Sequence, residues 1–530
     1  MGCNVLADCR EMLPSQIVNT ILKNRGIRDI KHFINPEEND LIPYSKMENI
    51  TKVSDLIIDG IKDDKRFFIL WDSDTDGQTS GAIITRYLWN FQIKPLTGVD
   101  TGKKHGLDPS EFYWNDILQS DIIIVVDSLD STIDHYKELY SIGKKVIVLD
   151  HHNIDPSIPY DQYVTLVSSM RDSYPNHELS GAGVTWKVCK FIDSQLGTNF
   201  ADELVDLAAT GILADVMDVM NYENRYIIMQ GLTHLNNLFL KRLTKGYPFN
   251  STAVLFSCAP AINSANRLNK NNLIMKCFLC DDDRKLLTYN KVIKMIKEEQ
   301  DKLVTDVLNK ISDECIKQQE DSCIICVCAF DYGIAGLIAQ NVLAKYQKPA
   351  IILRKVDNQY LGSQRSKGID LAKVINDSGM AVSHGHNEAS GVELKEEDLD
   401  TFVAYMKKHT PKIEEDSESA VDAVINLDDA TGFLAEEIEK IQFISGKNFK
   451  PPVFVIEDIE DYSIETWKDG KHLLICPNKE FTIVDWNTNH DIEDFEDHAV
   501  FGDAVECIGT LQKASFHGHC WMIANKIEVE

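Results

Sequence analysis

No apolar run in this chain is long enough to cross a bilayer; the longest, such as Ile122 to Val126 and Ile324 to Phe330, are strand-sized. The opening MGCNVLADCREML lacks the basic start and long apolar region of a secretory signal, and Leu6 stands where the myristoylation pattern wants Ser or Thr. Neither export nor a lipid anchor is expected, and the expected compartment is the cytoplasm, with no membrane partner. Thirteen cysteines in such a chain read as reduced, mostly buried thiols. Cys277 with Cys280, and Cys323, Cys326 with Cys328, lie in apolar stretches where small core residues explain them better than a metal does. Basic charge is also scarce: 54 Lys and Arg face 83 Asp and Glu, a net −29. That balance argues against tight nonspecific binding of duplex nucleic acid. Much of the excess acid is local, in EEDSESAVDAV, EDIEDY and DIEDFEDH, so a local binding groove remains open. Internal repeats and low-complexity tracts are absent.

At 530 residues the chain predicts several units. Residues 1–65 read as short helices, among them SQIVNTILKNRGI and MENITKVSDLIIDGI. From 66 to 282 strands alternate with helices: RFFIL, KPLTGV, DIIIVVD and KKVIVLD predict a parallel sheet. Residues 283–319 keep helical periodicity without strong breakers and predict one long connecting helix. A smaller α/β unit spans 320–412, from IICVCAF to SHGHNEASGVEL, and an acidic connector follows over 413–451. Residues 452–530 turn all-β; five short strands joined by polar turns predict a small barrel of the OB type.

Acidic residues and histidines stop the apolar runs. Asp72, Asp74 and Asp76 alternate after FFILW, Asp127 ends DIIIVVD, Asp150, His151 and His152 end KKVIVLDHH, and Asp215 lies in DLAATGILADVMD. A run that halts at a carboxylate places it at the carboxyl edge of a parallel sheet, where ligands bind. A lone aspartate there usually caps the next helix, but the whole set does not cap helices. Converging carboxylates repel unless cations lie between them, and with imidazole included the donor set suits Mn²⁺, or Mg²⁺ where carboxylate and water dominate. Two such ions close together are a device for phosphodiester hydrolysis. In the C-terminal unit Trp467, Phe481 and Trp486 are candidate stacking platforms for unpaired bases, and Lys468, Lys471 and His472 could follow a phosphate backbone.

These motifs resemble those of the DHH phosphoesterase superfamily, specifically its RecJ-like exonucleases. DSDTDGQTSGA, Asp127, LDHH and GILADVMDV follow the order of the family's four motifs. LKNRGIRDIKHFINP, AINSANRL, GSQRS, GHNEASG and GKNFKPPVF resemble further family elements, so the likeness covers nearly the whole chain. It implies a DHH catalytic domain over 66–282, a DHHA1 domain over 320–412 and an OB-like C-terminal domain. It implies two ions held by Asp74, Asp76, Asp127, His151 and Asp215, with Asp127 as the bridge and Asp72, Asp150 and His152 as additional or supporting groups. Asp127, His151, His152 and His386 are then the catalytic candidates. Arg267, Arg365, Ser363 and Asn263 are the implied substrate-binding residues. The implied reaction is 5′-to-3′ digestion of single-stranded nucleic acid, DNA before RNA, releasing mononucleotides, with a single-strand-binding protein or helicase as partner.

The chain departs from the family pattern at His384, at Asn266 and at Ser128–Leu129, where glycines are usual, without losing a ligand. GVDTGKKHGLDP lacks the arginine that RecJ proteins carry there, which leaves Lys103 or Lys104 as a point charge without a bidentate fork. Two other readings are a small-substrate DHH phosphodiesterase acting on oligoribonucleotides or cyclic dinucleotides, and a non-catalytic replication scaffold. The all-β module beyond Pro452 speaks against the first, and the complete ligand set against the second.

Overall fold

Five short apolar runs pair side by side, all parallel: β1 (Phe67–Trp71), β2 (Leu96–Val99), β3 (Ile122–Val126), β4 (Lys145–Asp150) and β5 (Thr165–Ser168), in the order β2-β1-β3-β4-β5. The computed structural model describes residues 5–100, 106–412, 421–468, 470–486, 488, 503–514 and 519–529, without the side chains of Tyr332 and His386. β1 and β3 are buried at every position, as a sheet covered on both faces requires. The order doubles back between β1 and β3, and a crevice opens there at the strands' carboxyl ends. β5 is absent from the sequence reading because four residues without alternation do not stand out from the turns around them.

The first three covering helices that matter here are α1 (Thr75–Trp89), α2 (Gly181–Leu196) and α3 (Val205–Ala214), which pack on one another. α4 (Ala259–Arg267) leads to α5 (Asp283–Lys317), whose 35 residues start at the Asp282 cap, with the carboxylate accepting from Arg284 and Lys285 N–H. Its buried stripe runs Leu286, Ile293, Ile296, Gln300, Val304, Val307, Ile311 and Cys315, at three- and four-residue steps with one of seven. Leu286 to Ile296 belong to the core of the first domain, and Val304 to Cys315 to a core under the second sheet. One helix thus fixes two domains to a common axis.

The second sheet contains β6 (Ile324–Val327), β7 (Ala350–Val356), β8 (Gln359–Arg365), β9 (Ala381–His386) and β10 (Ala389–Lys395), in the order β6-β7-β8-β10-β9, with α6 (Ala335–Tyr346) packed against β7 and β8. β6 and β7 are parallel, and the other pairs antiparallel.

Among the described residues the C-terminal sheet has seven strands, six of them within 452–530 where five are expected: β11 (Ala423–Val424), β12 (Phe454–Ile459), β13 (Ser463–Trp467), β14 (His472–Cys476), β15 (Phe481–Asp485), β16 (Val505–Lys513) and β17 (Cys520–Val529), in the order β11-β12-β16-β17-β15-β14-β13. β13 has no buried position, so it carries no apolar alternation to betray it. The connector reading needs correction beyond residue 420; 413–420 lie outside the described residues. α7 (Gly432–Gln442) buries Leu434, Ala435, Ile438 and Ile441. Ser445 N–H donates to Ser251 Oγ at 2.9 Å, and Arg25 clamps Asp422 with two bonds of 2.7 Å. The stretch that reads as linker by charge is instead a seam between the sheet, the N-terminal segment and the first domain. Among the described residues no helix is long and apolar enough to cross a membrane.

Candidate metal centre

β1 ends at Trp71, and the chain turns at once into α1, with Asp74 as its cap, accepting from Gly77 N–H at 3.1 Å. Asp76 therefore sits in the first turn, facing the sheet edge. β3 ends at Asp127 in a left-handed conformation (φ 55°), which a short polar side chain tolerates better than most and which ends the strand abruptly. β4 delivers Asp150, His151 and His152. Asp215 ends α3 through a Schellman turn: Met217 N–H reaches Ile212 O and Val216 N–H reaches Leu213 O, both at 3.1 Å. Val216 occupies the left-handed position (φ 55°), where glycine is usual, a strained conformation that the surrounding structure must impose.

These tips converge. His151 Nε2 lies 3.2 Å from Asp127 Oδ1, 3.4 Å from Asp215 Oδ2 and 3.9 Å from Asp76 Oδ2. Three overlapping donor sets form: Asp127, His151 and His152; Asp76, His151 and Asp215; Asp72, Asp74 and Asp127, each with its ligand atoms within 4.8 Å of one another. His151 and Asp127 each belong to two sets. Asp150 belongs to none. It is fully buried, accepts from His151 and His152 N–H at 2.5 Å each and from Leu129 N–H at 2.5 Å, and meets His152 Nδ1 at 2.8 Å. It orients the imidazole, as a carboxylate behind a metal-bound histidine does.

The electrostatics are those of a site made for cations. Burial, then Asp72 and Asp76, push Asp74 up to about 7. Burial and the neighbouring carboxylates push Asp127 and Asp215 well above the ordinary range, and burial raises Asp76. For Asp150 burial pulls upward, but His152, His151 and the backbone donors prevail and hold it below the ordinary value. Asp150 in turn raises His152 to about 10. Buried Asp76 Oδ2 and Asp127 Oδ1 accept no hydrogen bond, although such atoms are costly to leave unpaired. A divalent cation answers both orphaned oxygens and the mutual repulsion, so these residues fit the metal they imply.

The remaining candidates divide. Arg365, Ser363 and His384 line a cavity of about 630 Å³ whose other wall is Asp72, Ser73, Asp74 and Asn266, so the second domain faces the metal centre across a cleft. Ser363 is buried; its hydroxyl donates to Ser390 O at 2.9 Å and accepts from Arg365 Nη1 at 3.0 Å, so it positions the guanidinium. Asn263 Oδ1 accepts from Thr75 Oγ1 at 2.9 Å and ties α4 to the start of α1. His386 ends β9, paired with Ala389, and its side chain is outside the description, as are Lys103 and Lys104. Phe481 needs correction: at 1% exposure it is core, on the inner face of its sheet. Trp467 and Trp486 are 48% and 38% exposed, with ring centroids 5.7 Å apart.

What the sequence reading misses is the cradle. Ser180 Oγ and Ala182 N–H donate to Asp76 Oδ1 at 2.8 and 3.1 Å, which turns Oδ2 toward His151. A Cβ on Gly181 would lie 2.7 Å from Asp127 Oδ1, and one on Gly211 would lie 2.2 Å from Asp76 Oδ1 and 2.5 Å from Ala182 Cβ. Gly211→Ala must therefore displace Asp76. The expected result is about a tenfold higher Mn²⁺ concentration for half-maximal activity, the low end of what lost ligand support costs. A Mn²⁺ titration checks it, and an unchanged midpoint would show that the close approach carries no weight.

A parallel sheet whose switch point gathers carboxylates and two histidines, facing a second α/β domain across a cleft, defines a cleft-type metal-centre protein. Residues 66–212 match the DHH family, N-terminal domain, and residues 320–410 match the DHHA1 domain. It is 28% identical over 425 residues to a putative SPbeta prophage-derived single-strand DNA-specific exonuclease of Bacillus subtilis, 72% of each chain. It is 26% identical over 475 residues to the single-stranded-DNA-specific exonuclease RecJ of Bacillus subtilis, covering 84% of this chain and 59% of that one. The structure of RecJ from Thermus thermophilus in complex with Mn²⁺ matches with a TM-score of 0.78 at 21% identity, over 97% of this chain and 76% of the other, which shows a shared fold.

Proposed function

We propose that the chain hydrolyses phosphodiester bonds of single-stranded DNA with two divalent cations, Mn²⁺ or Mg²⁺, digesting from the 5′ end and releasing mononucleotides. The observation that carries this reading is the pair of unsatisfied buried oxygens, Asp76 Oδ2 and Asp127 Oδ1, beside a cleft whose opposite wall carries Arg365. The relatives named as single-strand-specific exonucleases support the choice of substrate. The working units are the catalytic domain (66–282), the connecting helix (283–319), the facing domain (320–412) and the C-terminal module (452–530), joined through 413–451.

When bound, two cations supply Lewis acidity and an activated water. Asp74, Asp76, Asp127, His151 and Asp215 would hold them, Asp127 being common to two of the donor sets and Asp72 an additional group. Asp150 keeps His152 oriented with Nδ1 engaged. Arg267 and Arg365 hold phosphate oxygens as planar forks, with Ser363 positioning Arg365, and His386 supports the scissile phosphate from the second domain. A cavity of about 630 Å³ takes nucleotides and not a duplex, which makes selection of single strands a matter of shape. A single-strand-binding protein or a helicase is the partner that would present such a strand.

The test is digestion of DNA strands labelled at either end, with and without a 5′ phosphate. Label at the 5′ end is expected to appear first, as mononucleotide. With lysines at 103 and 104 in place of an arginine fork, phosphorylated and hydroxyl-ended strands are expected to be cut at rates closer together than in RecJ proteins, by the value of one lost charge-assisted contact, about 1.5–3 kcal/mol. Release from the 3′ end would overturn the roles given to Arg267 and Arg365.

A further inference from the structure

A second cavity, of about 760 Å³, lies behind Arg365. Three arginines line it, Arg267, Arg354 and Arg365, with Asn266, Asn269 and Gln340. Among the described residues its one carboxylate is Asp331, which accepts from Gly333 N–H at 3.0 Å. Asn266 and Arg365 also line the cleft at the metal centre, so the two spaces meet along these side chains.

The arginines are arranged for an anion. Among the described residues, Arg267 and Arg365 have only neutral hydrogen-bond partners: Gln300 Oε1 at 3.4 Å for the first, Ser363 Oγ and Gln364 O at 3.0 and 2.7 Å for the second. Burial and then the nearby Arg365 lower the pKa of Arg267, as expected when like charges are held together out of water. Arg354 Nη1 donates to Phe330 O at 3.2 Å. The chain opposite is cut back to glycine. A Cβ on Gly336 would lie 2.5 Å from Arg365 Nη2, and one on Gly333 would lie 2.1 Å from Arg267 O. The start of α6 comes in at this point with no side-chain cap.

We infer that this second cavity holds a backbone phosphate of the same single strand, next along from the scissile linkage, with Arg354 as its donor. The inference rests on the single-strand reading above, because only a polymer occupies both cavities at once. A free phosphate or nucleotide offers the same chemistry but would fill the second cavity alone.

The experiment reads binding without turnover. A fluorescein-labelled oligothymidylate of about 20 nucleotides, longer than a single-module footprint, is titrated into the full-length protein in chelator, and anisotropy is followed at several salt concentrations. Arg354→Ala is expected to weaken binding about tenfold, the value of one charge-assisted contact. It should also flatten the slope of log K against log salt by about 0.7, one phosphate of a single strand. Arg354→Lys should recover much of the loss, and the loss should shrink for a dinucleotide. Gln340→Glu, at an exposed position of α6, adds a carboxylate to the cavity without disturbing the core and should weaken the same strand. An unchanged affinity and slope in both Arg354→Ala and Gln340→Glu would overturn the inference. So would Arg354-dependent binding of inorganic phosphate or thymidylate with strand affinity intact, which would mark a free-anion site. If the unmodified protein binds the strand through Arg354 but hydrolyses nothing with Mn²⁺, the proposed function fails and this inference stands.

Discussion

Asp127→Ala is expected to abolish Mn²⁺-dependent hydrolysis of single-stranded DNA and, at the same time, to stabilise the chelated protein. The two effects have one cause. Asp127 is buried at the end of β3, belongs to two of the three donor sets, and has an oxygen without a hydrogen bond. Without a cation it is held among Asp72, Asp74, Asp76 and Asp150, which raise its pKa together with burial. Removing it relieves that repulsion, so thermal unfolding in chelator at neutral pH should occur at a higher temperature than for the parent. The same removal takes away the group that both cations would share. Charge stabilisation by a metal centre is worth several kcal/mol, so a loss of about a thousandfold or more in rate is expected. Asp127→Asn, which keeps the shape, should behave alike in both assays. A variant that melts below the parent would point to a structural role for the carboxylate. Activity within about tenfold of the parent would sink the two-metal reading, since no such reading survives loss of its central ligand at so small a cost.

This trade of stability for function also explains which parts of the site are legible in the sequence. Asp72, Asp74, Asp76, Asp127, Asp150 and the two histidines are visible because each ends an apolar run, and the break in pattern is local. The cradle is not local: Ser180, Ala182 and Gly211 reach Asp76 from more than a hundred residues away. Nothing around Gly211 in sequence distinguishes a glycine that makes room for a carboxylate from one that merely packs helices. Arg354 is hidden for a related reason. It follows AIIL at the end of a buried strand run, where a basic residue reads as the polar end of β7, and only the fold brings it beside Arg267 and Arg365. Charge misleads between 421 and 451, where acidic residues suggest solvent. Asp422 is paired there with Arg25, and the apolar positions of α7 are too few to stand out. Composition is equally poor at placing charge. A net −29 describes the chain, yet Arg354 and Arg365 of the second domain and Arg267 at the end of α4 gather beside the carboxylate wall where a strand would lie.

The same carboxylates set how the protein's stability depends on pH and on metal. Asp74 is raised to about 7, Asp76 is raised, and Asp127 and Asp215 stand well above the ordinary range. In the unfolded chain each ionises near about 3.9. Between those values the folded protein holds more protons than the unfolded one, so stability falls as pH rises, and the loss deepens until the folded groups have ionised. His152 acts in the same direction: raised to about 10, it contributes stability that is full below its unfolded value of about 6.5 and is lost as pH climbs through 10. Asp150, held low, acts oppositely, and its contribution disappears only on acidification below the ordinary carboxylate range. In chelator the unfolding temperature is therefore expected to fall steadily from about pH 5 to pH 8. Mn²⁺ replaces the protons with a stronger cation. At about a hundred times its dissociation constant it adds ~2.7 kcal/mol, and because it competes with those protons its effect at a fixed concentration should be much larger at pH 8 than at pH 5. Differential scanning fluorimetry with and without Mn²⁺ across this range measures both trends. An unfolding temperature in chelator that is flat or rises toward pH 8, or a Mn²⁺ shift equal at both ends, would mean that the carboxylates are satisfied by something other than a metal.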